Sequence, residues 1–196
     1  MTLLAMLRHA PTEWNTMRRL QGRIDLPLSA AGEVYASRWR LPAEVKDFAW
    51  VTSPLMRARA TAELIGIQNA TQVRALIETD WGEWEGKTLS ELRALDPEGV
   101  AAAEAKGLDF RPPGGESARQ VQNRLKPWLA RVAASKVATG AVTHKGVIRA
   151  VLALATGWQM TSKPPERLDW GAVQLFRLAA DGTPAIERLN IPLEGR

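Results

Sequence analysis

The chain has 196 residues, of which 45% are hydrophobic and 24% charged, and it carries a net charge of +5. This is the composition of an ordinary globular domain with a sizeable core, and no apolar run approaches the roughly 18 residues of a membrane span. The absence of cysteine excludes disulfides and a thiolate nucleophile, and it fits a reducing, cytoplasmic environment.

The first half of the chain predicts strands and helices in alternation. Residues 3–7 form a short apolar run, which indicates a buried strand rather than a signal peptide. Ser29 begins a helical stretch that extends to Arg38. Residues 48–52 predict a second buried strand. Ser53 then has the pattern of an N-cap, with Pro54 at the first helical position, which predicts a helix that extends to about Ile65. Residues 73–77 are compatible with a third strand.

The middle of the chain combines helices with one loop. Residues 89–95 are helical and end near Asp96-Pro97. Residues 107–115 contain two prolines followed by two glycines and must form a loop. Ser117 and Gln120 are spaced as a capping box, which predicts a further helix with apolar residues at helical intervals.

The end of the chain predicts a strand at residues 140–144, a very apolar helix at 147–155, and a hairpin of strands at 172–178 and 185–189. Strands that alternate with helices predict an α/β fold with a largely parallel sheet. We expect one domain over residues 1–196, since no linker, repeat or low-complexity segment interrupts the chain.

The only two histidines, His9 and His144, each fall at the carboxyl end of a predicted strand. In open α/β sheets, ligands bind outside the carboxyl ends of the strands, so the placement favours a functional pair over two structural side chains. Two histidines without cysteine argue against a metal centre as the source of the chemistry, because zinc needs several such ligands. Histidine can instead attack phosphorus directly and form a covalent intermediate.

Arginines cluster near both histidines. The positive surplus can reflect solvated side chains, a nucleic-acid surface or a pocket for an anion. No block of like charges or basic tail is present, which favours a phosphate pocket, because the guanidinium fork suits phosphate oxygens. The clustered residues are Arg8, Arg18, Arg19, Arg23, Arg57 and Arg59.

Six segments, taken in order, resemble the motifs of the histidine phosphatase superfamily, also called the phosphoglycerate mutase-like family. The first, Arg8-His9-Ala10-Pro11-Thr12-Glu13-Trp14-Asn15, is similar to the family's Arg-His-Gly-x-Thr-x-x-Asn motif. The others are Arg19-Leu20-Gln21-Gly22 with residues 25–29, Ser53-Pro54-Leu55-Met56-Arg57-Ala58, residues 78–86, residues 113–117, and Thr143-His144-Lys145-Gly146.

The resemblance implies a three-layer α/β/α sandwich and a phosphatase that acts on small phosphate monoesters without a cofactor or metal. His9 would be the phosphorylated nucleophile, and Glu78 the general acid and base, with Glu83 and Glu85 as its nearest rivals. The phosphoryl group would be bound by the remaining matched positions, which are Arg8, Asn15, Gln21, Arg57 and His144.

One departure from the family motif is Ala10, which stands where glycine is usual and would be strained if its φ were positive. Three alternatives stay open: a cofactor-dependent phosphoglycerate mutase, an α-ribazole phosphatase, and a non-catalytic module that binds a phosphorylated ligand. Mutases of this family are longer and carry an extra pair of adjacent arginines, whereas this chain offers only the separated Arg93 and Arg111 between Leu89 and Gly115.

The partner expected from the sequence is a small phosphorylated molecule, with neither nucleic acid nor membrane. The eight tryptophans suggest stacking platforms for bases, but Trp50 and Trp128 fit core positions and the others are scattered. The oligomeric state is left open, with a homodimer as one option.

Overall fold

The computed structural model describes residues 1–195, and its centre is a six-stranded sheet. In chain order the strands are β1 (Thr2–Arg8), β2 (Ala49–Thr52), β3 (Thr71–Gln72), β4 (Thr139–Thr143), β5 (Ala172–Leu178) and β6 (Pro184–Pro192). Their order in the sheet is β3-β2-β4-β1-β5-β6. The first four are mutually parallel, and the hairpin of β5 and β6 is added with β5 antiparallel to β1. The prediction of a largely parallel sheet is therefore confirmed.

The helices are α1 (Glu13–Thr16), α2 (Ala30–Ser37), α3 (Met56–Leu64), α4 (Leu89–Leu95), α5 (Pro97–Glu104), α6 (Ala118–Ser135) and α7 (Lys145–Thr156). The predicted capping box of α6 is present, with the Ser117 hydroxyl accepting from the Gln120 N–H. Helix α5 was missed by the sequence prediction. Asp96 caps it through a hydrogen bond from the Gly99 N–H, so the pair Asp96-Pro97 starts a new helix where only an end was predicted.

The sheet separates two hydrophobic cores because alternate residues of a strand point to opposite faces. Leu4 and Met6 of β1 join the core formed with α6 and α7, whereas Ala5 and Leu7 join the core formed with α2 and α3. The result is the expected three-layer α/β/α sandwich. Leu125 of α6 is fully buried in the first core. Its replacement by alanine would cost about 2–5 kcal/mol of folding free energy.

Helix α3 begins at Met56, three residues after the predicted cap at Ser53, which is a correction to the sequence analysis. The Ser53 N–H continues the sheet by donating to the Val142 carbonyl at 2.9 Å. The helix start is capped from a distant loop instead, since an Asp25 carboxylate oxygen accepts from the Met56 N–H at 2.7 Å. The Ser53 hydroxyl accepts from the Leu55 N–H at 3.4 Å, and its own proton is left for another partner.

The predicted strand at residues 73–77 is wrong. Strand β3 ends at Gln72, and Arg74–Leu76 forms a 3₁₀ turn. The guanidinium of Arg124, on α6, donates to the carbonyls of Ala75 and Ile77, so a side chain satisfies backbone groups that a neighbouring strand would otherwise bind. An apolar run cannot distinguish these two arrangements.

None of the helices within residues 1–195 is long and apolar enough to cross a membrane. Trp128 is buried in the first core, and Trp50 is partly buried against the second, as the sequence analysis expected.

Candidate active site

His9 and His144 meet at the carboxyl edge of the sheet. They directly follow β1 and β4, which are adjacent parallel strands, and the His9 N–H donates to the Thr143 carbonyl at 2.9 Å. Their ring centroids lie 5.2 Å apart, with an angle of 57° between the ring planes. The topology therefore brings together the two histidines that the sequence singled out.

The His9 ring is held in one tautomer. Its Nδ1 lies 2.7 Å from the Ala10 carbonyl oxygen, and because a carbonyl only accepts, Nδ1 is the protonated nitrogen of the neutral ring. Burial lowers the pKa of His9 well below its ordinary value, and the positive charges of Arg8 and Arg57 lower it further. The neutral ring thus leaves Nε2 with a free lone pair.

His144 is fully buried, and its Nε2 lies 2.7 Å from the hydroxyl oxygen of Ser53. Burial is the main cause that lowers its pKa well below the ordinary value, followed by the charges of Arg57 and of His9. Within the described residues its Nδ1 has no hydrogen-bond partner. If Ser53 donates to Nε2, the ring proton is on Nδ1, which can then donate to a ligand.

Arg57, in the first turn of α3, is a fully buried guanidinium. Its terminal nitrogens donate to the carbonyls of Gly22 at 2.7 Å and Ile24 at 3.1 Å. Burial lowers the pKa of Arg57, and the nearby charge of Glu78 opposes that shift. A buried cation held mainly by carbonyls is suited to an anionic partner.

Four buried nitrogens of the predicted site residues have no partner among residues 1–195: Arg8 Nε, Gln21 Nε2, Arg57 Nε and His144 Nδ1. Gln21 is oriented by the Thr12 hydroxyl, which donates to its amide oxygen at 2.8 Å and leaves the NH₂ group free. Unsatisfied buried donors are costly, so their concentration here indicates a site for an anion.

A cavity of about 690 Å³ opens in front of His9. Arg8, Asn15, Gln21 and Glu78 line it with His9, whereas Arg57 and His144 are fully buried and do not reach its wall. The side-chain oxygen of Asn15 accepts from the Thr12 N–H at 3.1 Å, which leaves its NH₂ group available.

Glu78 follows the 3₁₀ turn and is 5% exposed. One carboxylate oxygen accepts from the Thr79 N–H at 2.8 Å, and the other from the Gly146 N–H at 3.2 Å, at the start of α7. Gly146 permits this approach because a Cβ there would lie 2.4 Å from the carboxylate. The rivals differ: Glu85 accepts from the N–H groups of Arg23 and Ile24, and the exposed Glu83 does not line the cavity.

Ala10 is buried but does not have a positive φ, so the alanine in place of the family's usual glycine is not strained. Its N–H donates to the Thr61 hydroxyl at 2.9 Å, and that hydroxyl donates to the Arg57 carbonyl at 2.6 Å. These bonds connect the segment after His9 to α3.

Of the other four clustered arginines, two line the cavity and two do not. Arg18 and Arg19 line the cavity. Arg23 is paired with Asp80 at 3.1 Å and Glu116 at 3.3 Å, and Arg59 does not line the cavity.

The cavity wall contains residues beyond the predicted site set. The sequence left open whether Trp81 and Trp84 line the mouth of the pocket or pack in the core, and both line the cavity. Trp81 and Trp84 have stacked rings with centroids 6.4 Å apart, and Phe110 lies 5.0 Å from Trp84. Lys145 and Arg149, on α7, also line the cavity, and within residues 1–195 neither forms an ion pair with an acidic side chain. The sequence analysis could have recognised them, because they follow His144 directly at an i, i+4 spacing that places both side chains on one helix face.

The arrangement is suited to nucleophilic attack on an anionic electrophile: an unprotonated imidazole nitrogen is surrounded by unpaired N–H donors, with a carboxyl group on the same cavity wall. Among residues 1–195 there is no group of three or more histidine, aspartate or glutamate side chains that could hold a metal ion.

Comparison with known proteins agrees with this geometry. The family model of the histidine phosphatase superfamily (branch 1) matches residues 4–192. The chain is 34% identical over 166 residues to an uncharacterized phosphatase, PhoE, of Bacillus subtilis, covering 80% of this chain and 79% of that protein. It is 30% identical over 196 residues to a 2,3-bisphosphoglycerate-dependent phosphoglycerate mutase of Methylobacterium radiotolerans, covering 93% and 92%. The structure of a mycobacterial glucosyl-3-phosphoglycerate phosphatase with VO3 is similar at a TM-score of 0.78 and 25% identity, over 97% of this chain and 100% of the other.

Proposed function

The chain belongs to the histidine phosphatase superfamily, and we propose that it hydrolyses small phosphate monoesters, as a single catalytic domain, through a phosphohistidine intermediate on His9. The observation that supports this most strongly is the hydrogen bond from His9 Nδ1 to the Ala10 carbonyl. It orients the ring and leaves Nε2 unprotonated beside the unpaired donors of Arg8 and Arg57. A nucleophile needs that lone pair, and a transferring phosphoryl group needs those donors.

In the first step His9 Nε2 attacks phosphorus, and the bond from phosphorus to the ester oxygen breaks. At the cavity wall the phosphoryl oxygens are bound by the unpaired N–H groups of Arg8 and Gln21, with the Asn15 amide at the rim. The unpaired nitrogens of Arg57 and His144 would approach the same group from the buried side of His9. Glu78, in its protonated form, gives its proton to the departing ester oxygen, so the alcohol leaves as a neutral molecule.

In the second step the Glu78 carboxylate takes a proton from a water molecule that occupies the place of the alcohol. The water oxygen bonds to phosphorus, and the bond from phosphorus to Nε2 breaks. Inorganic phosphate leaves, His9 is again neutral, and Glu78 again carries its proton. One carboxyl group thereby serves as acid and then as base.

A phosphoglycerate mutase is the main alternative, since one relative carries that name. The segment between Leu89 and Gly115, where the sequence analysis places the extra arginine pair of the mutases, contains only two separated arginines, and neither lines the cavity. Arg93 forms an ion pair with Glu104 at 2.6 Å, and Arg111 donates to the Gly115 carbonyl at 2.6 Å. With 3-phosphoglycerate we therefore expect release of phosphate and little conversion to 2-phosphoglycerate.

The test is a rapid-quench experiment in excess EDTA, with an ester labelled at phosphorus. We expect the wild-type protein to release phosphate without an added divalent ion and to pass through a labelled protein that is stable to base and labile to acid. His9→Ala should lose turnover and labelling together, with circular dichroism showing that it is folded. Retained turnover in His9→Ala, or activity that EDTA removes and a divalent ion restores, would contradict the proposed mechanism.

A further inference from the structure

Lys145 and Arg149 form a pair of cations on the cavity wall that the proposed reaction does not use. They are the first and fifth residues of α7, so they lie on the same helix face. Both line the cavity in front of His9. Within residues 1–195, neither side chain forms an ion pair with an acidic residue.

Tryptophan rings hold both cations in place. The Lys145 ammonium lies 5.3 Å from the ring centroid of Trp170, and the Arg149 guanidinium lies 5.1 Å from that of Trp158. Trp158 is itself fixed, because it is buried and its ring N–H donates to the Ser162 carbonyl at 3.1 Å. Contact with a ring face positions a cation without using its N–H donors, which stay available to a ligand.

The acidic residues of the cavity do not neutralise this pair. Apart from Glu78, the described cavity wall contains two carboxylates, Glu104 and Glu116. Glu104 is paired with Arg93 at 2.6 Å, and Glu116 with Arg124 at 2.9 Å. The cavity therefore carries a positive charge excess beyond that of the phosphoryl pocket, and this favours ligands with additional negative charge.

The pair lies near Glu78 on the cavity wall. Gly146, directly after Lys145, donates its N–H to Glu78, the proton donor of the proposed mechanism. Burial lowers the pKa of both Lys145 and Arg149, and at Lys145 the charges of Arg8 and Arg149 lower it further. The charge of Glu78 opposes this lowering at both residues, so Lys145 and Arg149 lie within electrostatic range of Glu78. In the proposed mechanism the alcohol leaves beside its proton donor, Glu78, so its substituents would lie near Lys145 and Arg149.

We propose that Lys145 and Arg149 form a second anion-binding subsite that selects phosphate monoesters whose alcohol portion itself carries a carboxylate or a second phosphate. The proposal rests on the function proposed above, because it assigns the leaving group of that reaction. The two side chains would bind the second anion while the first phosphoryl group lies against His9.

The first experiment compares esters that differ only in the second charge. The carboxylate pair is 3-phosphoglycerate against glycerol 3-phosphate, and the phosphate pair is propane-1,3-diol bisphosphate against 3-hydroxypropyl phosphate. We expect kcat/KM to be about tenfold higher for the charged member, which corresponds to roughly one hydrogen bond to a charged group. Each pair of esters gives one ratio of kcat/KM, that of the charged ester to the uncharged ester. The larger of the two ratios shows whether a carboxylate or a phosphate is the preferred second anion.

The second experiment measures the same ratios in Lys145→Met and Arg149→Met, which keep an apolar stem and remove the charge. Each ratio should fall towards one, and Arg149→Lys should restore part of it. Lys126→Met is the matched control, since it removes an exposed charge from α6, outside the cavity, and its ratio should equal that of the wild type. A ratio within one protein is insensitive to a general loss of activity.

A binding measurement separates this proposal from the proposed function. The same ester pairs are titrated calorimetrically into His9→Ala, with and without Lys145→Met, and we expect tighter binding of the charged ester only when Lys145 is present. Hydrolysis of all esters with equal kcat/KM would overturn the subsite and leave the phosphatase function standing. Equal losses for both members of a pair in Lys145→Met would also overturn it, because Lys145 would then act on the phosphoryl group. Equal binding of both members to His9→Ala would overturn it whatever the activity.

Discussion

The hydroxyl oxygen of Ser53 lies 2.7 Å from Nε2 of His144, and this contact joins the end of β2 to the end of β4. Both residues are fully buried. Ser53 therefore determines the tautomer of His144, because a hydroxyl that donates to Nε2 leaves the ring proton on Nδ1.

Replacement of Ser53 by alanine should weaken phosphate binding as well as folding. His144 Nε2 would be left buried and unpaired, which costs about 1–3 kcal/mol of the free energy of unfolding. The ring could then carry its proton on either nitrogen, and we expect kcat/KM to fall by about tenfold or more. Nitrogen-15 NMR of the histidine ring should show the change of tautomer. The control is Ser37→Ala, which removes an exposed hydroxyl that bonds only within α2; an unchanged tautomer in Ser53→Ala would contradict the assignment.

Glu78→Gln should separate the two chemical steps. The amide retains the shape of the side chain but cannot transfer a proton, so hydrolysis of an alkyl ester should slow by about 10² to 10⁴. With p-nitrophenyl phosphate the leaving group needs little protonation, and phospho-His9 should accumulate because the activation of water is impaired. Rapid quench measures that accumulation. Glu83→Gln, at an exposed position outside the cavity, is the control, and equal effects of the two substitutions would remove Glu78 from the mechanism.

Gly146→Ala should lower activity without lowering stability. The new Cβ would lie 2.4 Å from a carboxylate oxygen of Glu78 and 2.3 Å from the hydroxyl of Thr79, and both are side-chain atoms that can move. Loss of a helical glycine favours folding by up to about 1 kcal/mol. We therefore expect an unchanged or raised melting temperature together with slower hydrolysis, as in Glu78→Gln. A loss of activity that only accompanies unfolding would contradict this explanation.

The stability of the ligand-free protein should fall as the pH is lowered below about 6.5. The pKa values of His9 and His144 are both held well below 6.5 by burial and neighbouring cations. Between those depressed values and about 6.5, the unfolded chain binds protons that the folded chain does not. The free energy of unfolding therefore rises with pH, by up to about 1.4 kcal/mol per pH unit for each histidine, and becomes independent of these groups above that window.

Urea unfolding at several pH values, in a buffer without phosphate, measures this slope. His9→Gln and His144→Gln should each reduce it between about pH 5 and 6.5, and the double variant should reduce it most. The carboxylates also titrate in this range, but their contribution is common to all four proteins and cancels in the comparison. An identical slope in the double variant would show that the histidines titrate alike in the folded and the unfolded protein, which would contradict the lowered pKa values.

Much of the site could be predicted because its signals are local and the topology obeys general rules. A polar residue after a buried strand is enough to place His9 and His144 at one edge of a parallel sheet. The capping box at Ser117 and Gln120 is likewise a short-range pattern, and it was confirmed.

The features that could not be predicted depend on contacts between distant segments. Ser53 precedes a proline and has the local pattern of an N-cap, but its hydroxyl contacts His144 while Asp25 caps the helix. The backbone of residues 74–76 curls into a 3₁₀ turn beside carbonyls that Arg124 satisfies from α6. In each case a long-range polar partner decides the local conformation, and no window of a few residues contains it.

The pairing of β1 with β4 also governs when the molecule can first become active. His9 is near the beginning of the chain and His144 is far along it, and they become neighbours only after the register of Arg8 with Thr143 has formed. Such a contact between remote segments is slow to form, because a long loop must close before it is made. A nascent chain that has not yet released β4 from the ribosome therefore contains His9 without a pocket. Return of turnover during refolding would consequently report completion of the central sheet, later than the formation of any single helix.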